Sequence, residues 1–294
     1  MSINRLPHTA INKQKWDHAI ENAQIKHVYA KSWFLDVVSP NWEALVLNDY
    51  EAVMPLPIQK KMGLPIIAQP MFCQQLGIFA TKELDPSTAQ RFLKAMPNLL
   101  YIDYQFNSSN SKWIEGVSRS NYELSLHQDY PSLQHHYNSN IKRNIKKSLA
   151  EGLKAKKHVP AKQIIHIFKQ TKGKNLNLNH NYYVKLEQLI QECSQQKMIE
   201  TVGAFKNDEL YAGSIFLETV ERSYFFFSST SEQGRNNGAL HFLIDHYIQE
   251  KADQNRILDF EGTDNEGLAK LYKGFGAKKT VYKRLKKGFL SHLK

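Results

Sequence analysis

A chain of 294 residues with 41% hydrophobic content is long enough for about two domains and apolar enough to give each a core. Its two cysteines, Cys73 and Cys193, are far apart and belong to no CxxC pair, which excludes a disulfide framework; with no apolar start of leader length and no run of about 18 apolar residues, a cytoplasmic protein without a membrane span is expected. The 39 Lys and Arg outnumber the 28 Asp and Glu, and the net charge of +11 favours anionic partners: a nucleotide, a phosphorylated substrate, RNA or a membrane surface.

The first readable element, Trp42 to Lys61, alternates apolar and β-branched residues around Asn48-Asp49 and reads as a hairpin. An extended stretch, "PIIAQPMFCQQLGIFA", leads to a helix opened by Asp85 as cap and Pro86 in the first turn, and the strand "NLLYIDYQF" follows. Ile141, Ile145, Leu149 and Leu153 then recur every fourth residue as the apolar stripe of a helix, with Lys142, Arg143, Lys146 and Lys147 off the stripe. Those charges form either a solvated face or, through Arg143 and its neighbours, a grip on a phosphate of substrate or RNA. Two helical patterns joined by an Asn-rich turn lead into a second hairpin, Glu200 to Val220, turning at Asn207-Asp208. The strand "RSYFFFSST", a helix from about Asn237 to Ala252 and the strand "RILDFEGT" complete the chain's second half.

Hairpin, strand, helix and strand thus occur twice. The hairpins are 159 residues apart, and Asp103 and Asp259 are 156 apart. The expected fold is α/β (α+β), with two similar tandem domains at 1–130 and 131–294, each a mixed central sheet flanked by helices.

Chemistry concentrates in the second half. A loop between a buried strand and a helix start leaves N–H groups without intrahelical partners, and the helix dipole adds positive charge there, so that end attracts anions. In "SSTSEQGRNNGA", Gly234 is free to take a positive φ, Arg235 adds a charged fork and Gly238 has no Cβ to keep a ligand away. Gln233, Gly234, Arg235, Asn236, Asn237, Gly238 and Ala239 are therefore the expected phosphate cradle, a plain corner being the alternative. Asp259 and Glu261 alternate with Leu258 and Phe260, which places both carboxylates on one side of a strand end. There they either share a proton or receive one from an amine, or else one of them caps the next helix or pairs with an arginine. No HExxH, Cys/His cluster, Gly-x-Ser-x-Gly elbow or Walker loop is present, so metal, serine-hydrolase and P-loop chemistry find no motif.

"EQGRNNGALHFLIDHYI" resembles the pyrophosphate-binding stretch of GNAT-fold acyltransferases, Gln/Arg-x-x-Gly-x-Gly/Ala, with Arg235, Gly238 and Leu240 in the three matching positions. "DNEGLAKLYKGFGA" is similar to the Asn-x-x-Ala-x-x-Leu-Tyr-x-x-x-Gly-Phe pattern of that superfamily, carried by Asn265, Ala269, Leu271, Tyr272, Gly274 and Phe275. The same stretch looks like the Phe-Lys-x-Gly-Phe-Gly signature of Fem-type (FemAB-like) aminoacyltransferases, and "NIKRNIKKSLAEGL" resembles the Arg-x-x-Ile-Lys-Lys-Ala helix of those proteins.

The resemblance implies two tandem GNAT-like domains, with the phosphate loop absent from the first. It also implies transfer of an acyl or aminoacyl group to an amine of an anionic acceptor resembling a cell-wall precursor. Acyl-coenzyme A is the implied co-substrate, with no tightly bound cofactor; aminoacyl-tRNA is the alternative donor. Tyr272 is then the candidate general acid, beside Glu261 and Asp259, with Ser228 and Ser229 where backbone donors meet the acyl group. The functional lysine of the Fem-type signature falls on Tyr272, one place before Lys273, and Lys273 joins Arg143 as a substrate-binding candidate. A second reading is a module that has lost catalysis and holds RNA or a phosphorylated ligand.

Overall fold

The computed structural model describes residues 2–288, which form two compact units: residues 2–120 with 281–288, and Asn121–Thr280.

The first unit begins with β1 (Ile3–Leu6), α1 (Lys13–Glu21) and α2 (Ser32–Val38). The expected hairpin is β2 (Glu43–Leu47) and β3 (Ala52–Leu56), antiparallel with Leu47 opposite Ala52 and turning through Asn48 and Tyr50 at positive φ. Both strands are buried almost throughout, so their apolar residues run on rather than alternate. Then come β4 (Ile58–Lys61), β5 (Leu64–Ala68) and β6 (Phe79–Ala80). Next, α3 (Pro86–Ala95) starts as its sequence dictates: Pro86 lacks only a donor that the first turn could not have used, and Asp85 accepts the Thr88 amide at 2.9 Å. After β7 (Ile102–Phe106), β8 (Val117–Ser125) carries the chain onward. Strands β1, β2, β3 and β6 lie side by side in that order; β4, β5 and β7 form a separate run in which β5 and β7 are parallel.

The second unit contains α4 (Tyr130–His135), α5 (Ser139–Ala150), β9 (Lys154–Lys157), α6 (Ala161–Gln170), α7 (Lys172–Asn175) and α8 (His180–Gln195). The hairpin strands β10 (Ile199–Lys206) and β11 (Glu209–Glu218) follow, then β12 (Arg222–Thr230), α9 (Glu232–Asn236), α10 (Ala239–Lys251), β13 (Ile257–Gly262) and α11 (Glu266–Gly274). Its strands run in the order β8-β13-β12-β11-β10-β9. Asn207 and Asp208 turn the hairpin with φ of 48° and 61°, the two-residue form whose twist matches that of the strands. Along α5 the buried face is Ile141, Ile145 and Ser148, while Leu149 is exposed. A strict four-residue repeat drifts by about 40° per step around a helix of 3.6 residues per turn, which turns Leu149 out of the core; Leu153 is buried, but beyond the end of the helix.

Finally β14 (Lys278–Lys287) returns the chain to the first unit, antiparallel to β7, with Lys283 opposite Phe106 and Lys287 opposite Ile102. The second unit is therefore inserted ahead of the first unit's last strand, rather than beginning at a single boundary after residue 130.

The internal echo has a structural counterpart. Ala68 faces Asp103 across β5 and β7, and Tyr224 faces Asp259 across β12 and β13, each residue 156 from its partner in the other unit. Each aspartate meets an arginine: Arg284 Nε donates to Asp103 Oδ1 at 2.6 Å and Arg222 Nη1 to Asp259 Oδ2 at 2.6 Å.

Candidate active site

In the second unit β12 and β13 are paired only from Arg222–Tyr224 to Ile257–Asp259, although β12 continues to Thr230 and β13 to Gly262. Irregularities on both sides drive them apart. The β11–β12 register shifts between Ile215 and Leu217, and the β8–β13 register shifts between Asp259 and Gly262, where Glu261 sits at φ 60°. Extra residues of this kind bend and twist a strand away from its neighbour. Beyond Tyr224, the edge of β12 toward β13 has no strand partner among the described residues, so the two strands splay apart there. In the first unit the matching edge of β7 is taken up by the chain after β5: Gln69 Oε1 accepts the Gln105 amide at 2.9 Å, and the Leu76 amide donates to Gln105 O at 2.8 Å.

Arg222 fixes the end where the two strands stay paired. Its Nη1 donates to Asp259 at 2.6 Å and to Glu123 of β8 at 2.7 Å, while Asp259 Oδ1 accepts the Glu261 amide at 2.9 Å. Burial pushes the Asp259 carboxyl above its ordinary value, and the Arg222 charge opposes that push. Arg222 thus ties three strands together, β12, β13 and β8. The alternation that would have placed Asp259 beside Glu261 is broken by the bulge, and of the two roles left open for this carboxylate the arginine pairing is the one realised.

The lining comes from six elements, β8, β12, β13, α6, α8 and α11. The Tyr272 ring of α11 stacks on Phe260 at 4.7 Å and 20°, with Phe225 and Tyr122 at 6.3 and 6.0 Å. Burial, reinforced by the negative charge of Glu261, raises its pKa, so the phenol stays protonated; among the described residues no hydrogen bond engages its hydroxyl. Glu261 acts on a second phenol, Tyr182 of α8, which burial first, then Tyr183 and Glu261, push up to about 12. Phe168 of α6 packs between Tyr182, at 6.4 Å, and Phe227 of β12, at 4.8 Å. Tyr182 escaped the sequence reading. Its one local signal is Asn179, three residues upstream, whose side chain accepts the Tyr182 amide at 3.0 Å and so sets that tyrosine in the first turn of α8. Lys273 is exposed, with Nζ 5.8 Å from the Tyr122 ring centre.

The expected phosphate loop is not open. Residues 232–236 form α9: Ser231 Oγ accepts the Gly234 amide at 3.0 Å, and the Arg235, Asn237 and Gly238 amides donate to Ser231 O, Gln233 O and Arg235 O. Gly234 is helical rather than at positive φ, and its missing side chain serves packing, because a Cβ there would lie 2.0 Å from Tyr211 O. Gly238, at φ 71°, ends α9 and caps α10 at once. The donors left are those that begin α10, at Ala239, Leu240 and His241, since the first intrahelical bond there runs from Phe242 N to Gly238 O. Arg235 and Asn236 are exposed; Gln233 faces a separate groove of about 760 Å³ walled by Lys162, His166 and Glu209. Ser229 is buried and donates to Ile164 O at 2.7 Å, while Ser228 stands half-buried on β12 beyond the divergence.

Helix α5 gathers what the sequence could only enumerate. A Cβ on Gly238 would approach Asn144 O to 2.7 Å, Ser148 Oγ donates to Asn237 O at 2.6 Å, and the Asn138 amide donates to Gly274 O at 2.9 Å. One helix therefore packs both the start of α10 and the end of α11, bringing Asn237, Gly238, Tyr272 and Lys273 onto a common support. Arg143 lies on its exposed side and donates to Asn140 Oδ1 at 2.8 Å. Among the described residues no group of three or more His, Cys, Asp and Glu could hold a metal ion, and no helix is long and apolar enough to cross a membrane.

No protein-family model and no curated protein matches the chain. Solved structures do. FemX aligns with a TM-score of 0.69 at 10% identity, over 95% of this chain and 96% of its own. L-PGS from Bacillus licheniformis aligns with a TM-score of 0.57 at 10% identity, over 94% and 91%. The tandem GNAT protein from the clavulanic acid biosynthesis pathway aligns with a TM-score of 0.50 at 9% identity, over 97% and 98%. At such identities the likeness is one of fold: the chain has the Fem-like tandem GNAT fold that its motifs implied.

Proposed function

We propose that the second unit is an N-acyltransferase, moving an acyl or aminoacyl group from acyl-coenzyme A or aminoacyl-tRNA to an amine of an anionic acceptor. The observation that carries this reading is the splaying of β12 from β13, which leaves the β12 edge without a strand partner in the second unit where the first unit's chain fills the matching place, with the uncommitted hydroxyl of Tyr272 nearby.

In the reaction, the acceptor nitrogen attacks the donor carbonyl carbon and forms the new C–N bond. The C–S or C–O bond breaks with its electron pair on the leaving atom, Tyr272 supplies that atom with a proton, and Glu261 receives the proton lost by the nitrogen. Main-chain donors on the free edge of β12 near Ser228 face the carbonyl oxygen as its charge grows. The amides of Ala239 to His241, with Arg235, Arg143 and Lys273 around them, hold donor or acceptor phosphates. The net charge of +11 suits either donor and a phosphorylated, cell-wall-precursor-like acceptor, and the cytoplasm is where both donors are to be found.

A second reading is favoured by one finding. The amides of Gly234 to Gly238 are bonded within the protein, as they would be in a non-catalytic module that binds RNA or a phosphorylated ligand through side chains alone.

Thermal shift with coenzyme A and acetyl-coenzyme A, beside retention of charged and uncharged tRNA, separates the cases. Protection by a donor, with transfer to an amine reduced about a hundredfold in Tyr272→Phe, supports the enzyme. Binding without turnover supports the module, and no response to any donor removes the transferase.

A further inference from the structure

The first unit carries a surface that nothing above uses. Strands β4, β5, β7 and β14 end together at one rim, as their registers require: Lys61 is opposite Leu64, Ile58 opposite Ile67, Ile67 beside Ile102, and Ile102 opposite Lys287. The β4–β5 turn, the residues before β7 and the last residues of β14 therefore meet there.

What they display is unusual for a strand end. Met62 is 94% exposed, Leu64 50% and Leu100 56%. Around them Lys60, Lys61, Lys286 and Lys287 are exposed, and none makes an ion pair among the described residues. Glu115 shares a groove of about 650 Å³ with Lys286 and Lys287, and Asp103, opposite Lys286, is buried and paired with Arg284.

The turn itself is shaped to project. Met62 has φ 51° and Gly63 φ 78°, and an added Cβ on Gly63 would find nothing within 4 Å. A position of that φ ordinarily goes to Gly, Asn or Asp, so a methionine there accepts strain in order to hold an apolar side chain in water. Lysines alone would suit any polyanion. Aliphatic tips with no groove to enter have no use on a nucleic acid, whose contacts call for charge and flat rings. Nor do three isolated apolar side chains approach the roughly 800 Å² per partner of a stable protein interface. Aliphatic tips ringed by lysines are complementary to a bilayer with anionic headgroups, which takes the tips into its interface and the cations at its surface.

We propose that this rim of the first unit, tipped by Met62, Leu64 and Leu100 and ringed by Lys60, Lys61, Lys286 and Lys287, docks reversibly on anionic lipid bilayers. The inference does not depend on the transferase reading.

The test uses the full chain in vesicle flotation, with phosphatidylcholine alone and with phosphatidylglycerol added. Wild type is expected to float only with the anionic vesicles, and less as salt rises. Met62→Ser/Leu64→Ser should weaken flotation about tenfold or more, and Lys286→Ser/Lys287→Ser several-fold with a shallower salt dependence. Independently of those variants, a polarity-sensitive dye on Met62→Cys should shift to the blue on anionic vesicles. The same dye on Val220→Cys, at an 89% exposed position of the second unit, should not, and both native cysteines are buried and spared from labelling. Equal flotation with neutral vesicles, no flotation at all, flotation indifferent to the tip variant, or a dye response at Val220 but not at Met62 would each overturn the proposal. So would a dimer abolished by the tip variant, which would assign the rim to a second copy of the chain.

Discussion

Replacing Gly238 with alanine isolates the contact on which the expected donor pocket rests. The residue sits at φ 71°, and a Cβ there would stand 2.7 Å from Asn144 O and 3.1 Å from both Asn144 Cβ and Ser148 Oγ. Left-handed backbone costs an L-residue about 1–2 kcal/mol, and forcing a methyl group against a helix carbonyl adds about 1–3 kcal/mol of overpacking. Gly152 supplies the control. It has a similar φ of 75° but nothing within 4 Å of its missing Cβ, so Gly152→Ala carries the backbone cost alone. In urea unfolding followed by circular dichroism, Gly238→Ala should therefore be less stable than Gly152→Ala by about 1–3 kcal/mol. Because the added methyl must move α10 off α5, only Gly238→Ala should also lose the thermal protection given by a donor. Equal destabilisation by the two substitutions would refute the packing of α5 against the start of α10.

If Arg222 is a clamp, Arg222→Met leaves Asp259 buried and uncompensated and should cost about 3–5 kcal/mol, most of it regained in Arg222→Met/Asp259→Leu, as equilibrium unfolding would report. Tyr272→Phe should melt within about a degree of wild type, because among the described residues nothing bonds to its hydroxyl, yet lower kcat about a hundredfold at constant KM. Acid should weaken the first unit. Burial pushes the Asp103 carboxyl up, but the hydrogen bonds and charge of Arg284 overcome that and hold it below its ordinary value; Asp36 is likewise lowered, by Lys13, Trp42 and His8 against its burial. A folded pKa below the unfolded one gives stability that is complete above about pH 4 and is lost as the pH falls from there through the lowered values. Melting temperature against pH should thus drop below about pH 4, and the Asp103 part of that drop should vanish in Arg284→Met.

Much of the architecture was legible because it rests on local chemistry. Asp85-Pro86 capped a helix, Asn207-Asp208 made a two-residue turn at positive φ that such residues tolerate, and the distance from Asp103 to Asp259 foretold a repeated strand register. The site was less legible, since its decisive features are tertiary. Nothing local announces that Glu261 takes a positive φ and breaks the alternation with Asp259, or that Arg222, 37 residues earlier, claims that carboxylate. The pattern of "EQGRNNG" offers Gly234 for a positive φ and Gly238 as room for a ligand, but Gly234 makes room for Tyr211 O and Gly238 for Asn144 O. Tyr182 was passed over because its partners, Phe168, Tyr183 and Glu261, come from three elements.

The position of β14 has a consequence for biosynthesis. A ribosome delivers the chain from its amino end, and domains tend to fold as they emerge. The first unit is nearly all made by Ser120, yet the strand that covers the outer edge of β7 emerges only with residues 283–287. The portion translated later is thus able to mature sooner, while the earlier portion waits with one strand edge bare. A premature stop just before Lys283 would spare every group assigned to transfer and damage the half of the protein that was synthesised first.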